Sequence, residues 1–304
     1  MQNRMSEHKK RILILGATGA IGHKLYQMYK ERFAVWGTVR CCHENYAKYG
    51  IFDPAHIIEG VDVSNFDAVI KAVATIRPST IINCVGIIKQ LPTAKDTLLC
   101  LKINSVFPHQ LAGLCKAVNA RLIQLTTDCV FSGRKGMYTE DDPSDATDLY
   151  GQTKYLGEIN QEGCLTIRTS VIGRELRTTS GLAEWFLSNN GGKVKGFKKA
   201  IYTGFTTCVL SDIIADIIEN HPDLSGLYHI SSEPIDKYSL LCLLRDAFGV
   251  KIEIEPEYQV QIDRSLDSSR FRSKTGFQPP KWEEMVRKMA EDSTPYDKWR
   301  RMED

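Results

Sequence analysis

Short apolar runs alternate with amphipathic stretches through the first two-thirds of the chain. Arg11–Leu15 (RILIL) is a continuous apolar run of strand length, and Ala20–Glu31 then shows helical spacing. Ala34–Val39 and Ile57–Val61 read as strands, Asn65–Thr75 as a helix and Thr80–Cys84 as a strand. A long helix is expected over Asp96–Val118, then a strand at Arg121–Thr126, a helix at Ala146–Gln161 and a strand at Cys164–Arg168. Strands that are apolar on both faces and alternate with helices predict a parallel sheet covered on both sides.

After Thr169 the rhythm changes. A helix around Leu182–Ser188 precedes a Gly/Lys-rich segment, Gly191–Lys199, that reads as a loop. Val209–Glu219 and Ser239–Phe248 have helical spacing, Gly226–Ile230 and Val250–Ile254 read as strands, and a last helix falls near Trp282–Ala290. The expected fold is α/β: a doubly wound parallel sheet with a smaller, partly interleaved C-terminal α/β domain. Residues 1–172 form the nucleotide domain, with 203–232 returning to it; 173–202 and 233–304 form the substrate domain, with a ligand cleft between the two.

The turn after the first strand carries the first chemical signal, Gly16-Ala17-Thr18-Gly19-Ala20-Ile21-Gly22. Gly16 allows a tight turn, Gly19 lets backbone approach a pyrophosphate, and Gly22 lets the helix pack closely on the strand. In this strand–turn–helix context the pattern is a Rossmann dinucleotide site, with Gly16, Thr18, Gly19, Ala20 and Ile21 around the phosphates. The second strand ends in Arg40, where an acid would grip a ribose 2′-hydroxyl. Guanidinium suits a 2′-phosphate instead, which favours NADP(H) over NAD(H); stacking on adenine or facing solvent are the other readings of Arg40. Asp62-Val63 and Cys84-Val85-Gly86 close the third and fourth strands, where the adenine and the middle of the cofactor would lie.

Composition narrows the picture mainly by exclusion. Of 304 residues, 42% are hydrophobic and 25% charged, with net charge +2, which gives no general case for nucleic acid. Nine cysteines are scattered without metal-ligand spacing, so no metal is expected and reduced thiols are the natural reading. No apolar run approaches the ~20 residues of a membrane span. The polar start, Met1–Lys10, lacks a signal peptide's apolar middle and reads as a frayed tail, so a cytoplasmic location is expected.

Tyr150 and Lys154, four apart in an expected helix, share one face. A nearby ammonium stabilises tyrosinate and lowers the phenol pKa, which suits Tyr150 to general acid–base work at a carbonyl. Thr127, at the carboxyl end of the preceding strand, places a hydroxyl where it would bond the same oxygen.

Glycine turn, strand-end threonine and Tyr/Lys helix, in that order, resemble the extended short-chain dehydrogenase/reductases over nearly the whole chain. The likeness is nearest to the dTDP-4-dehydrorhamnose reductase branch, which acts on nucleotide-linked 4-keto-6-deoxysugars. It is carried by GATGAIG, TTDCVFSG, Tyr138-Thr-Glu140, YGQTKYLGE, Arg168-Thr-Ser170, Gly204-Phe-Thr-Thr207 (without the usual proline) and Arg264-Ser-Leu-Asp267. The resemblance implies a catalytic set of Thr127, Tyr150 and Lys154, with Tyr150, Lys154 and Asn104 also at the cofactor and Asp128, Cys129 and Thr206 toward substrate.

Similar 4,6-dehydratases carry Thr-Asp-Glu where this chain has Thr127-Asp128-Cys129. A thiol is a poor base for the C5 proton, which leaves simple reduction. The basic stretch Arg174–Ala200 reads either as a nucleotide-diphosphate contact or as a solvated loop face, with Arg174 the foremost candidate contact because it follows the cleft-lining strand.

The resulting expectation is NADPH-dependent reduction of an NDP-4-keto-6-deoxyhexose, with or without N-acetylation, for surface polysaccharide. The partner is the nucleotide sugar, with no nucleic acid or membrane; the sequence does not fix the oligomeric state, and a homodimer is one assembly open to it. Two alternatives stand: a non-catalytic NADP-binding regulatory subunit, and a nucleotide-sugar epimerase.

Overall fold

The computed structural model describes residues 9–300, so positions 1–8 of the polar start Met1–Lys10 lie outside the described residues. The chain runs β1 (Arg11–Leu15), α1 (Ala20–Tyr29), β2 (Ala34–Thr38), α2 (Glu44–Ala47), β3 (Ile57–Ile58), α3 (Phe66–Ile76), β4 (Thr80–Asn83), α4 (Thr97–Cys100), α5 (Phe107–Ala117) and β5 (Arg121–Thr127). It continues through α6 (Leu149–Leu156), β6 (Cys164–Thr169), β7 (Val171–Ile172), α7 (Leu182–Ser188), β8 (Lys193–Tyr202), β9 (Phe205–Thr206), α8 (Thr207–Asn220) and β10 (Gly226–His229). The last elements are β11 (Ile235–Asp236), α9 (Lys237–Phe248), β12 (Glu253–Asp263), α10 (Ser269–Thr275), α11 (Trp282–Ala290) and α12 (Tyr296–Arg300).

Seven strands form one parallel sheet in the order β10–β6–β5–β4–β1–β2–β3. Chain progression reverses at β1, which lies between β2 and β4, so this α/β sheet is doubly wound in the Rossmann manner. Ile12 and Ile14 of β1 enter one core while Leu13 and Leu15 enter the other. A strand covered on both faces has no polar side, which explains the unbroken RILIL. Among the described residues no helix is long and apolar enough to cross a membrane, and no group of His, Cys, Asp and Glu is arranged for a metal.

A second sheet, β11–β8–β12, stands beside the first. Its centre is β8, which corrects the expected loop at Gly191–Lys199. Lys193, Lys195 and Lys199 face outward while Val194, Gly196 and Ala200 are buried. A Cβ on Gly196 would meet the Tyr238 backbone at 2.9 Å, so glycine here allows close approach of α9 rather than marking a turn. Lys193 is neutralised by Glu253 and Glu255 on β12. That strand begins at Glu253, later than the expected Val250, and runs to Asp263.

Three other elements are shorter or more broken than their periodicity suggests. The span Asp96–Val118 is α4, a π-helical turn at Leu101–Val106, and α5. The third strand stops at Ile58 rather than Val61, and α6 stops before Gly157 rather than reaching Gln161.

Two buried histidines brace the structure as neutral rings. The Nδ1–H of His23 donates to the Gly19 carbonyl at 2.8 Å and its Nε2 accepts from the Tyr296 hydroxyl at 2.7 Å. His229 is bonded through Nδ1 to the Tyr138 carbonyl at 3.0 Å, and its Nε2 accepts from the Arg168 guanidinium at 3.1 Å. Burial pushes His23 down to about 4; burial together with Arg168 pushes His229 down to about 3.

Between those values and the ordinary 6.5, the unfolded chain binds protons that the folded chain refuses. Stability therefore falls as pH drops below about 6.5, by up to about 1.4 kcal/mol per unit for each ring. Unfolding at pH 5.5 should take up close to two protons at these sites. Calorimetric proton uptake no larger than the carboxylates alone supply would contradict the buried neutral pair.

Candidate active site

The site begins at the turn between β1 and α1. Gly16 has φ +78°, in the left-handed region, and a Cβ there would crowd Val85 at 2.9 Å. A Cβ on Gly22 would fall 2.1 Å from the Gly16 carbonyl oxygen, so only glycine lets α1 start so close to its strand. Thr38 pins the turn, accepting from Gly16 N–H at 3.2 Å on its hydroxyl and from Ala17 N–H at 3.1 Å on its carbonyl. Gly19 precedes α1, with no side-chain cap and no acid in the first turn. The opening N–H groups of Ala20, Ile21 and Gly22 therefore have no side-chain acceptor, the condition under which a helix start takes a phosphate. Thr18 in the same turn is hydrogen-bonded by Tyr46.

Arg40 is exposed after β2 and has no hydrogen-bond or ion-pair partner among the described residues. Asp62 lies close enough for Arg40 to help hold its carboxyl low, behind the larger effect of the Ser64 N–H that it accepts at 2.8 Å. Val63 is buried in the core beneath. Cys84, Val85 and Gly86 follow β4 and are partly buried. Asn104 sits in the π-helical turn, accepting from Ile87 N–H at 2.9 Å and donating to the Ile87 carbonyl at 3.0 Å. A Cβ on Gly86 would lie 3.4 Å from the Asn104 Oδ1 and 3.7 Å from the Lys154 Nζ, so these three residues converge.

The sequence of α6 explains how its side chains reach this point. Asp148 caps the helix, accepting from Gly151 N–H at 2.9 Å. Cβ atoms on Gly151 and Gly157 would lie 2.2 Å from the Cys129 carbonyl and 1.9 Å from the Asn104 carbonyl. Two glycines thus let the helix lie flush on neighbouring backbone. Lys154 is buried and donates to the Leu125 carbonyl at 2.8 Å. Burial pushes its ammonium down to about 8, against the opposing pull of Glu158.

Tyr150 stands next to Thr127, whose hydroxyl donates to Asp128 Oδ1 at 3.0 Å and accepts from Cys129 N–H at 3.1 Å. The Tyr150 phenol is pushed up, first by burial and then by Cys129. This reverses the lowering expected from Lys154, because the cost of burying a tyrosinate is the larger effect. Tyr150 is therefore a neutral phenol that holds its proton. Burial and Asp128 push the Cys129 thiol up to about 11, so it is protonated at neutral pH.

A cleft of about 340 Å3 joins the two ends, with Ala20 and Ile21 at one side and Thr127, Asp128, Cys129 and Tyr150 at the other. A larger groove, about 610 Å3 between α8 and α11, contains none of these groups.

Two expected substrate contacts need correction. Arg174 is buried, with Nε on Glu184 at 2.6 Å, Nη2 on Asp297, and its plane over Tyr296. Its charge is spent inside the protein. Thr206 is fully buried at the start of α8 and does not line the cleft. Conversely, Lys89 and Lys237 line it and were not singled out by sequence. Lys89 stands 2.8 Å from Asp148 and 5.6 Å above the Tyr150 ring; its place just past a strand's carboxyl end was the available signal.

The RmlD substrate binding domain family matches this chain over residues 10–294. The chain is 26% identical over 266 residues to a Xenopus laevis protein named methionine adenosyltransferase 2 subunit beta, covering 82% of this chain and 75% of that one. Over 151 residues it is 32% identical to a Streptomyces griseus dTDP-4-dehydrorhamnose reductase, covering 49% of this chain and 44% of that protein. The crystal structure of a Bacillus anthracis dTDP-4-dehydrorhamnose reductase in complex with NADP is similar in fold, with a TM-score of 0.75 at 22% identity. It covers 92% of this chain and 98% of its own.

The glycine geometry sets up a direct comparison. Gly22→Ala should weaken dinucleotide binding by at least about tenfold, because its methyl must force the phosphate turn open. Gly113→Ala, where a Cβ meets nothing within 4 Å, should leave binding unchanged. Equal dissociation constants for the two variants, measured by fluorescence titration with NADPH, would contradict the assignment of the turn.

Proposed function

This chain belongs to the RmlD substrate binding domain family, and from that premise we propose that it is an NADPH-dependent reductase of nucleotide-linked 4-keto-6-deoxyhexoses. The observation that carries this reading is the neutral, half-buried Tyr150 next to Thr127 in one cleft with the uncapped start of α1. The Bacillus anthracis reductase, solved in complex with NADP, and the Streptomyces griseus reductase support both cofactor and reaction class.

The residues fit an NADP(H) molecule. The N–H groups opening α1 would hold the pyrophosphate, and Arg40 offers an unpartnered guanidinium for the 2′-phosphate. Cys84, Val85 and Gly86 would border its middle, while Lys154 and Asn104 stand where the nicotinamide ribose is expected. Bound NADPH supplies the hydride that reduces the carbonyl carbon. Tyr150 then gives its proton to the carbonyl oxygen as negative charge gathers there, completing an alcohol. Because burial raises this phenol, the proton is present at neutral pH, which suits reduction. Thr127 orients the phenol, and Lys154 brings positive charge to the same helix face. Cys129 holds its own proton and cannot serve as the carboxylate base a dehydratase needs.

A role in assembling deoxysugar precursors of surface polysaccharide follows from this chemistry, with the N-acetyl state of the sugar left to the substrate panel. A second reading has support of its own. The Xenopus laevis relative, similar over 82% of this chain, is named as a subunit of another enzyme, which favours an NADP-binding regulatory partner.

The deciding experiment presents enzymatically generated 4-keto sugar nucleotides and follows NADPH consumption. The wild-type chain should turn over at least one of them. Tyr150→Phe should lose about 10²- to 10⁴-fold in kcat while keeping NADPH affinity. Tight NADPH binding without turnover of any keto sugar would end the reductase reading and leave the regulatory one.

A further inference from the structure

The cleft contains a cation that no described residue answers. Four charged side chains line it: Lys89, Asp128, Glu175 and Lys237. Lys89 is paired with Asp148. Asp128 accepts the Thr127 hydroxyl, and Glu175 accepts the Thr178 hydroxyl and the Ser180 N–H. Lys237 has no hydrogen-bond or ion-pair partner among the described residues.

Its backbone is held by the start of a helix. Lys237 is the first residue of α9, whose start is locked by Asp236 accepting both the N–H and the hydroxyl of Ser239. Lys198 braces the same corner, 3.8 Å from Asp236 and 4.1 Å over the Tyr238 ring. The helix dipole adds to the positive potential at this end.

A second, independent observation lies on the neighbouring strand. Tyr202 pairs with Ile235, two residues before Lys237, and lines the same cleft. It is nine-tenths buried, and its hydroxyl has no hydrogen-bond partner. A Cβ on Gly204 would fall 2.1 Å from that hydroxyl, so the glycine makes room for it. An unpartnered buried hydroxyl and an unanswered ammonium on the same cleft wall mark groups that a bound anion would complete.

We propose that Lys237, with the Tyr202 hydroxyl, forms an anion subsite on the C-terminal wall of the cleft and takes a phosphate of the substrate's nucleoside diphosphate. It replaces Arg174 in that role. The phosphate donor's identity rests on the nucleotide-sugar reading; the unanswered cation does not.

The test is calorimetric titration of the full chain, saturated with NADP+, using UDP, dTDP, GDP and inorganic pyrophosphate. Lys237→Ala should weaken binding of the favoured diphosphate by about tenfold or more, and Lys237→Arg should recover most of the loss. Tyr202→Phe should cost about threefold to tenfold. Lys199→Ala, an exposed lysine on β8 outside the cleft, should change nothing, and NADP+ affinity should hold within twofold in every variant. The proposal is overturned if the wild type binds no diphosphate at millimolar concentration, if Lys237→Ala binds within twofold of wild type, or if Lys199→Ala loses as much. Diphosphate binding that depends on Lys237 without any keto-sugar reduction keeps this inference and ends the reductase reading. Reduction indifferent to Lys237 does the opposite.

Discussion

Burying the ammonium of Lys154 is the constraint on which the site depends. A charge taken from water needs nearby compensation. Here the Leu125 carbonyl supplies it directly and Glu158 adds a more distant pull. For Lys154 to reach that carbonyl, α6 must lie flush on β5, and the local sequence is arranged to allow it. Glycines at 151 and 157 remove the side chains that would hold the helix off, and Asp148 fixes where it starts. Glu158, one turn beyond Lys154, closes a buried pair with Arg168 of β6 at 2.7 Å. Arg168 in turn holds His229 at the edge strand β10, so the placement of Tyr150 is tied to three strands rather than to one helix.

The cofactor end is braced from the far end of the chain. Tyr296 bonds His23 of α1, Asp292 pairs with the buried Lys24, and Asp297 engages Arg174. The residues after α11 therefore pack onto the helix whose start is proposed to hold the phosphates. This explains why Arg174 does not serve the substrate: its guanidinium joins the C-terminal segment to Glu184 of α7. The cleft wall built around β8 and α9 presents Lys237 instead.

How much of this was legible in the sequence depended on the range of the interaction responsible. The β1–turn–α1 unit and the Tyr150/Lys154 face follow from spacing within a few residues, and their geometry could be written down beforehand. The strand at β8 could not, because Lys193 is balanced by Glu253 and Glu255 on β12 some sixty residues later, and Gly196 serves a packing contact with Tyr238. Periodicity also cannot show the π turn that carries Asn104, since its neighbours remain helical on both sides. Arg174 was misread for the same reason: Asp297 lies 123 residues away. The phenol's direction of shift was misread because burial, which the helix face alone does not reveal, outweighs the lysine four residues on.

The central claim is that Tyr150 and the nicotinamide of a cofactor whose pyrophosphate is held at the α1 start act together on one carbonyl carbon. NADPH deuterated at both C4 positions, incubated with a 4-keto-6-deoxy sugar nucleotide, tests it most directly through NMR of the product. The account predicts one deuterium at sugar C4, an ordinary proton on the new hydroxyl, and no label elsewhere. Recovery of NADPH with its label intact, or a product labelled at no sugar carbon, would contradict it.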